Sequence, residues 1–313
     1  MRWLIAAVLV VALAWAGYWL WASRAMETRL SAWIAARRAA GWEAGHDGLS
    51  VTGFPNRVDV TLSAPHLAPP GGGWRWQAPW LRLYALSYLP GRAILLWPGR
   101  QSLRVGGRDI TITAEDMRAS ARLALARGGA LSRLIWVAEA PAARSRGWQV
   151  SADQMRVALE RQPDGAARYR LGLALSGLSG VAGLPGEVTL DGEADLAAPL
   201  RPDAKLPALG RLAISELTMR WPDGARLTAT GTLRADARGR AEGRIDLTLH
   251  EARAILDTPA LALWPGLSRG LRAAVSASAG PVSISLSFRA GQVWLGPVPI
   301  ARAPVLAPQG SNR

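Results

Sequence analysis

Cysteine is absent from this 313-residue chain, which removes disulfides, thiolate metal sites and cysteine nucleophiles together. Histidine is nearly as scarce: His46, His66 and His250 stand far apart, and none lies at metal-ligand spacing from another. Lysine occurs once, at Lys205, and 37 basic residues against 23 acidic ones give a formal net charge of +14. The basic side is therefore almost all arginine, and it favours anionic partners: phosphate-bearing lipid headgroups, acidic glycans, nucleic acid or an acidic protein. The arginines are spread over the chain, so nucleic acid is not the expected partner. No Gly-x-x-x-x-Gly-Lys-[Ser/Thr] phosphate loop occurs. Gly71-Gly72-Gly73, between Pro70 and Trp74, has no strand before it or helix after it and reads as a loop. Asp47, Asp59, Glu115 and Asp116 are the candidates for a carboxylate pair, but charges on strand faces are ordinarily solvated. These absences argue against an ordinary enzyme, and no catalytic residue, cofactor or metal is expected.

Long apolar runs are confined to the beginning. Trp3 to Ala22 carries no charge, and about twenty residues at ~1.5 Å each just cross a bilayer core of roughly 30 Å. Trp15, Tyr18, Trp19 and Trp21 gather at the distal end, where amphipathic rings favour the membrane–water boundary. Ala14-Trp15-Ala16 offers a signal-peptidase-like site, but cleavage there would leave a very aromatic terminus, so the segment reads as an uncleaved anchor. Arg24, Arg29, Arg37 and Arg38 follow it, which positive-inside counting would place in the cytoplasm. A long β domain behind an N-terminal anchor is usually exported, and the expected location is a single-pass inner-membrane protein with a periplasmic domain. From Met26 to Ala40, Leu30, Trp33, Ile34 and Arg37 keep helical spacing. That stripe suits either packing on its own domain or lying on the outer leaflet.

Beyond Leu49 the pattern changes to alternation. Val58, Val60 and Leu62 alternate with Asp59, Thr61 and Ser63; Ile110 and Ile112 alternate with Asp109, Thr111 and Thr113. Val282, Ile284, Leu286 and Phe288 alternate with Ser283, Ser285, Ser287 and Arg289. Each run is a half-buried strand, and Pro-Gly and Pro-Asp-Gly turns punctuate them. Thr228 to Leu249 reads as strand, Asp236-to-Gly239 turn, strand. Helices are expected over 251–256 and 267–275. The fold class is mainly β: an N-terminal transmembrane helix, then an antiparallel, curved sheet domain with a few short helices. The expected organisation is anchor 1–24, amphipathic juxtamembrane helix and linker 25–48, one β-rich lobe 49–200, and a second lobe 201–313 continuing the sheet. The boundary falls in the Pro-rich segment 199–207.

Ten of the 15 tryptophans precede Gln101, within or before a block rich in aromatics and arginine. Phe54, Arg57, Trp74, Trp76, Trp80, Tyr84, Tyr88 and Trp97 are the candidate contacts for lipid or a partner. Two readings stand: rings anchoring the first sheet with Arg stems across them, or rings and guanidiniums lining a surface for an amphiphile.

The short motifs in this block resemble a known family. Gly41-Trp42, Gly53-Phe54-Pro55-x-Arg57, Trp74-x-Trp76-x-Ala78-Pro79, Ala85-Leu86-Ser87-Tyr88 and Trp97-Pro98-x-x-Gln101 resemble the signature of the bacterial domain-of-unknown-function 2125 family. The run from Leu286 to Ile300 resembles that family's ending. The resemblance implies an anchored envelope protein and carries no functional residues with it. The hairpin from Gly231 to Leu247 is also similar to repeats of AsmA-like proteins, which would imply a long sheet with an apolar concave face and a role in lipid handling. The expected function is therefore non-catalytic contact with lipid or a lipid-bearing glycan in envelope biogenesis. The alternative is a scaffold whose basic surface docks an acidic envelope protein. Membrane lipids, and an envelope protein partner, are the expected associations.

Overall fold

The computed structural model describes residues 2–89, 91–164, 167–251, 268, 272 and 280–307. The protein is mainly β and antiparallel, with one long apolar helix at its N-terminus. It divides into two units, residues 1–129 with 143–147, and residues 130–142 with 148–313.

The first unit begins with α1 (Arg2–Ala39), 38 residues without a proline. The helix stops at Gly41, whose φ of +80° suits a residue without a Cβ. Its N–H donates to Arg38 O at 2.9 Å, and the Trp42 N–H donates to Arg37 O at 3.0 Å, the paired bonds of a Schellman stop. Burial along α1 changes character partway. Residues 6–14 are exposed all round, whereas Trp15, Trp19, Ala22, Met26, Leu30, Trp33 and Arg37 form a covered stripe with Ile34 at its centre. The amphipathic stripe thus packs on its own unit.

Ten strands follow: β1 (Glu43–Gly45), β2 (Gly48–Thr52), β3 (Arg57–Ser63), β4 (His66–Ala68), β5 (Trp74–Gln77), β6 (Trp80–Leu86), β7 (Arg92–Leu96), β8 (Arg100–Val105), β9 (Arg108–Thr113) and β10 (Asp116–Ala124). One sheet runs β2-β3-β6-β7-β10. Val60 pairs with Val51 on one side and Leu83 on the other, and Leu83 pairs with Leu95, so one face is an apolar row. The other sheet runs β1-β4-β5-β8-β9. From Trp15 to Arg38 the helix extends ~35 Å. It is bonded at both ends of that length, to Pro55 and Arg57 at one and to Ala44 at the other.

The second unit holds β11 (Ala130–Glu139); β12 (Ala142–Ser145) lies almost wholly in the first unit, where Ser145 Oγ donates to Asp109 O at 2.7 Å. Then come β13 (Trp148–Ser151), β14 (Gln154–Arg161), β15 (Arg168–Ser176), β16 (Glu187–Leu196), β17 (Leu209–Arg220), β18 (Arg226–Ala235), β19 (Ala241–His250), β20 (Val282–Arg289), β21 (Gln292–Leu295) and β22 (Val298–Arg302). From β14 onward each strand pairs with the next in sequence, a meander. The Pro-rich 199–207 segment is the connection between β16 and β17. The helices expected over 251–256 and 267–275 lie outside the described residues, save for Glu251, Ser268 and Arg272. The one short helix among the described residues is a 3-10 turn, Leu125–Arg127.

Register assigns the faces of this meander. Leu173, Leu190, Leu217, Ala229, Leu247 and Ile284 are successive cross-strand partners, so they share a face. Thr189, Thr218, Thr228, Thr248 and Ser283 are likewise successive partners and make a hydroxyl row on the opposite face. β17 needs a correction to stay in phase, because Leu212 and Ile214 are even-numbered while Leu217 and Met219 are odd. A register shift between Ile214 and Leu217 supplies it, with Ser215 and Glu216 taking the extra position. A one-residue slip without this bulge would turn half the strand's apolar side chains to the wrong face. The closed core lies at one end of the meander, where Leu233, Leu249, Ile284, Leu286, Phe288 and Val293 are buried together.

The expected Asp236 turn is present. Asp236 Oδ1 accepts from the backbone N–H groups of Arg238 and Arg240, both at 2.8 Å. Those bonds, that of Arg240 foremost, hold the Asp236 carboxyl below its ordinary value. A depressed folded-state value means stability that is present above the unfolded value and lost as pH falls through the folded one. Asp236→Asn is therefore expected to reduce the acid-side slope of the thermal midpoint between about pH 5 and pH 2, near the ordinary Asp range. An unchanged slope would show that the turn does not use the charge.

Candidate functional site

Two features of the molecule are candidates, and each is internal to one unit. In the first unit, the distal aromatic end of α1 is bonded into two turns. Trp15 Nε1 donates to Pro55 O at 3.0 Å, Trp19 Nε1 to Arg57 O at 2.6 Å, and the Tyr18 hydroxyl to Ser87 O at 2.7 Å. The turns are also bonded to each other: Ser87 donates through its backbone N–H and its Oγ to Asn56 O, both at 3.0 Å. Gly53 sits at φ +105°, and a Cβ there would come within 2.9 Å of Arg57 O, so the β2–β3 turn requires glycine. Two of the motif segments, 53–57 and 85–88, thus form one hydrogen-bonded collar around the helix. Sequence reasoning missed this collar. Trp15, Tyr18 and Trp19 read as membrane-boundary rings, and nothing in their spacing names backbone carbonyls 38 to 69 residues away.

The aromatic-arginine residues meet different surroundings. Phe54 is 56% exposed at the β2–β3 tip, edge-on to Trp19 with ring centroids 5.5 Å apart. Tyr88 is 55% exposed in the β6–β7 turn. Arg57 pairs with Asp59 at 2.7 Å and lies over the Tyr84 ring. Arg82 lies over Trp80, 4.6 Å from its centroid. Trp76 is half-buried, and its Nε1 donates to Gln101 Oε1 at 2.9 Å, while Gln101 Nε2 donates to the Met117 sulfur. Trp74 meets Trp42 edge-on at 6.0 Å, and Trp97, half-buried, donates its backbone N–H to Met117 O. Trp74, Trp76, Trp80, Tyr84 and Trp97 are therefore half-buried, while Phe54 and Tyr88 are exposed at one end of the unit.

In the second unit, the apolar face mixes buried and half-buried side chains: Tyr169, Val188 and Ala194 are buried in β15 and β16, and Leu227, Ile245 and Leu247 are half-buried in β18 and β19. Over β14–β17, Val157, Leu171, Leu173, Leu190, Leu212 and Ile214 all keep part of their surface accessible. At one edge of that stretch Asp195 sits between Arg168 at 2.8 Å and Arg211 at 3.4 Å. Burial pushes its carboxyl up, but the Arg168 bond and then Arg211 outweigh it and hold the group below its ordinary value. Among the described residues no cluster of three His, Asp or Glu could hold a metal ion. Asp59 and Asp116 are each engaged by an arginine two residues away in sequence, Arg57 and Arg118. A surface hollow near Gly41, Pro70 and Trp74 contains the bidentate pair of Arg75 with Glu43, both bonds 2.6 Å.

Among the described residues one helix, α1, is long and apolar enough to cross a membrane. No curated protein and no solved structure matches the chain. The family model that does match covers residues 19–304, the collar, both sheets of the first unit and nearly all of the meander, and by it the chain belongs to the family described as "Uncharacterized protein conserved in bacteria (DUF2125)".

Proposed function

We propose that this protein is a non-catalytic component of envelope biogenesis, anchored in the inner membrane by α1, with its β units in the periplasm. In this reading the face of β14–β17 contacts lipid or a lipid-bearing glycan. The observation that carries it is the unbroken apolar row through Leu173, Leu190 and Leu217, each of which keeps part of its surface accessible. An apolar sheet face is stable only when something covers it, whether a helix, another sheet or a ligand. Acyl chain is the covering that a membrane anchor keeps close by. The similarity of the 231–247 hairpin to AsmA-like repeats points the same way.

The test is photo-crosslinking of the full chain in its own membrane. A benzophenone side chain at Leu173 is expected to yield a lipid adduct by mass. The same group at Thr189, on the opposite face, is expected to yield none. Protein adducts alone at Leu173 would replace this reading with the scaffold that docks an acidic envelope protein. No adduct at either position would remove it.

A further inference from the structure

We infer that the turn end of the first unit is itself seated in the bilayer, with Phe54, Tyr88, Leu89 and Leu125 reaching below the lipid headgroups beside α1. This rests on α1 being a membrane span, and adds a second part of the chain to the same leaflet.

The length of the helix forces the issue. Protein cover begins at Trp15, and residues 6–14 are exposed all round. From Trp3 to Ala14 the helix is ~18 Å long, against a hydrocarbon core of about 30 Å. Arg2 precedes that stretch, and a charged side chain resists transfer into hydrocarbon. The missing ~12 Å corresponds to Trp15–Ala22, which is equally uncharged. That segment carries the three donors bonded to the turns at Pro55, Arg57 and Ser87. A straight helix cannot cross the core and also hold these turns above the headgroups, and tilting would shorten its reach further.

The turns are built to descend with it. Register places the β2–β3 turn, the β6–β7 turn and the 3-10 turn after β10 at one end of the sheet: Arg57 pairs with Leu86, and Arg92 with Arg122. Their tips are apolar and accessible, with Leu125 49% and Leu89 38% exposed beside Phe54 and Tyr88. The charged residues of 53–57, 87–92 and 122–129 are Arg57, Arg92, Arg122 and Arg127, with no acid in those segments, although Arg57 pairs with Asp59 beyond them. Apolar tips inside a basic rim suit an anionic leaflet.

Irregular backbone reaches membrane depth only where its polar groups are satisfied by the protein. Here the carbonyls of Gly53, Pro55, Asn56, Arg57 and Ser87 each accept a hydrogen bond from within the unit. The indoles and phenol that donate are satisfied by the same bonds. The collar can therefore enter the boundary without exposing those groups to hydrocarbon.

Because the chain has no cysteine, a single introduced one reports without ambiguity. Spin labels would be placed on the full chain at Val11→Cys in α1, Leu89→Cys and Leu125→Cys at the tips, and Arg108→Cys beside the β8–β9 turn. In vesicles of phosphatidylcholine and phosphatidylglycerol, collision with oxygen and with a polar nickel chelate gives depth. Val11 is expected deepest, Leu89 and Leu125 several-fold less accessible to nickel than Arg108, and Arg108 aqueous. Tips as accessible as Arg108 with Val11 deep would overturn this inference and leave the anchor standing. An aqueous Val11 would overturn both.

Discussion

Replacing Tyr169 with alanine is expected to destabilise the second unit by about 4 kcal/mol, in the range of large aromatic-to-alanine changes in cores. Its side chain is 1% exposed. Its hydroxyl donates to Leu131 O at 3.0 Å and accepts from the Leu200 N–H at 2.9 Å, while the Leu131 N–H donates to Leu200 O at 2.7 Å. One residue thus ties β11 and the β16–β17 connection to β15. Tyr169→Phe keeps the ring and strands the two backbone groups, at a cost of about 1–3 kcal/mol. Urea unfolding of the two variants separates packing from hydrogen bonding. Equal losses would mean that the ring does little, and a Phe variant as stable as the parent would mean that solvent reaches Leu131 and Leu200.

Trp15→Phe, Tyr18→Phe and Trp19→Phe together keep three aromatic rings on α1 and delete the three hydrogen bonds that tie it to the turns. At about 1 kcal/mol net per bond, the loss is roughly 3 kcal/mol, a hundredfold shift toward the undocked helix. The distance distribution between spin labels at Glu27→Cys and Asn56→Cys reads this directly. It is expected to broaden in the triple variant and to stay narrow in the parent. A narrow distribution in both would show that the covered stripe from Ala22 to Arg37 holds the helix unaided.

Much of the fold could be read in advance because the signals are local. The uncharged run announced α1, alternation announced β3, β9 and β20, and Asp236-x-x-Gly239 announced the β18–β19 turn. What escaped was non-local or conditional. The bulge at Ser215-Glu216 leaves only a phase slip, which a 12-residue strand hides easily. The Met26–Ala40 stripe was compatible with a leaflet or with protein, and only the partners on β1 to β3 decide between them. The aromatic block looked uniform in sequence, yet it splits: Trp76 finds Gln101, Arg57 finds Asp59 and Tyr84, and Phe54 and Tyr88 stay uncovered by protein. The collar escaped because its donors and acceptors are far apart in the chain and every acceptor is backbone.

α1 is fastened to the first unit at two levels, by its aromatic end at Pro55, Arg57 and Ser87, and by Arg38 at Ala44. Between these points it packs on β1, β2 and β3. A pull on the N-terminal end of the helix therefore loads several contacts at once, in shear, instead of peeling them one after another. The unit is arranged as a mechanical coupling, able to carry tension from the helix into the sheet without first coming apart at the joint.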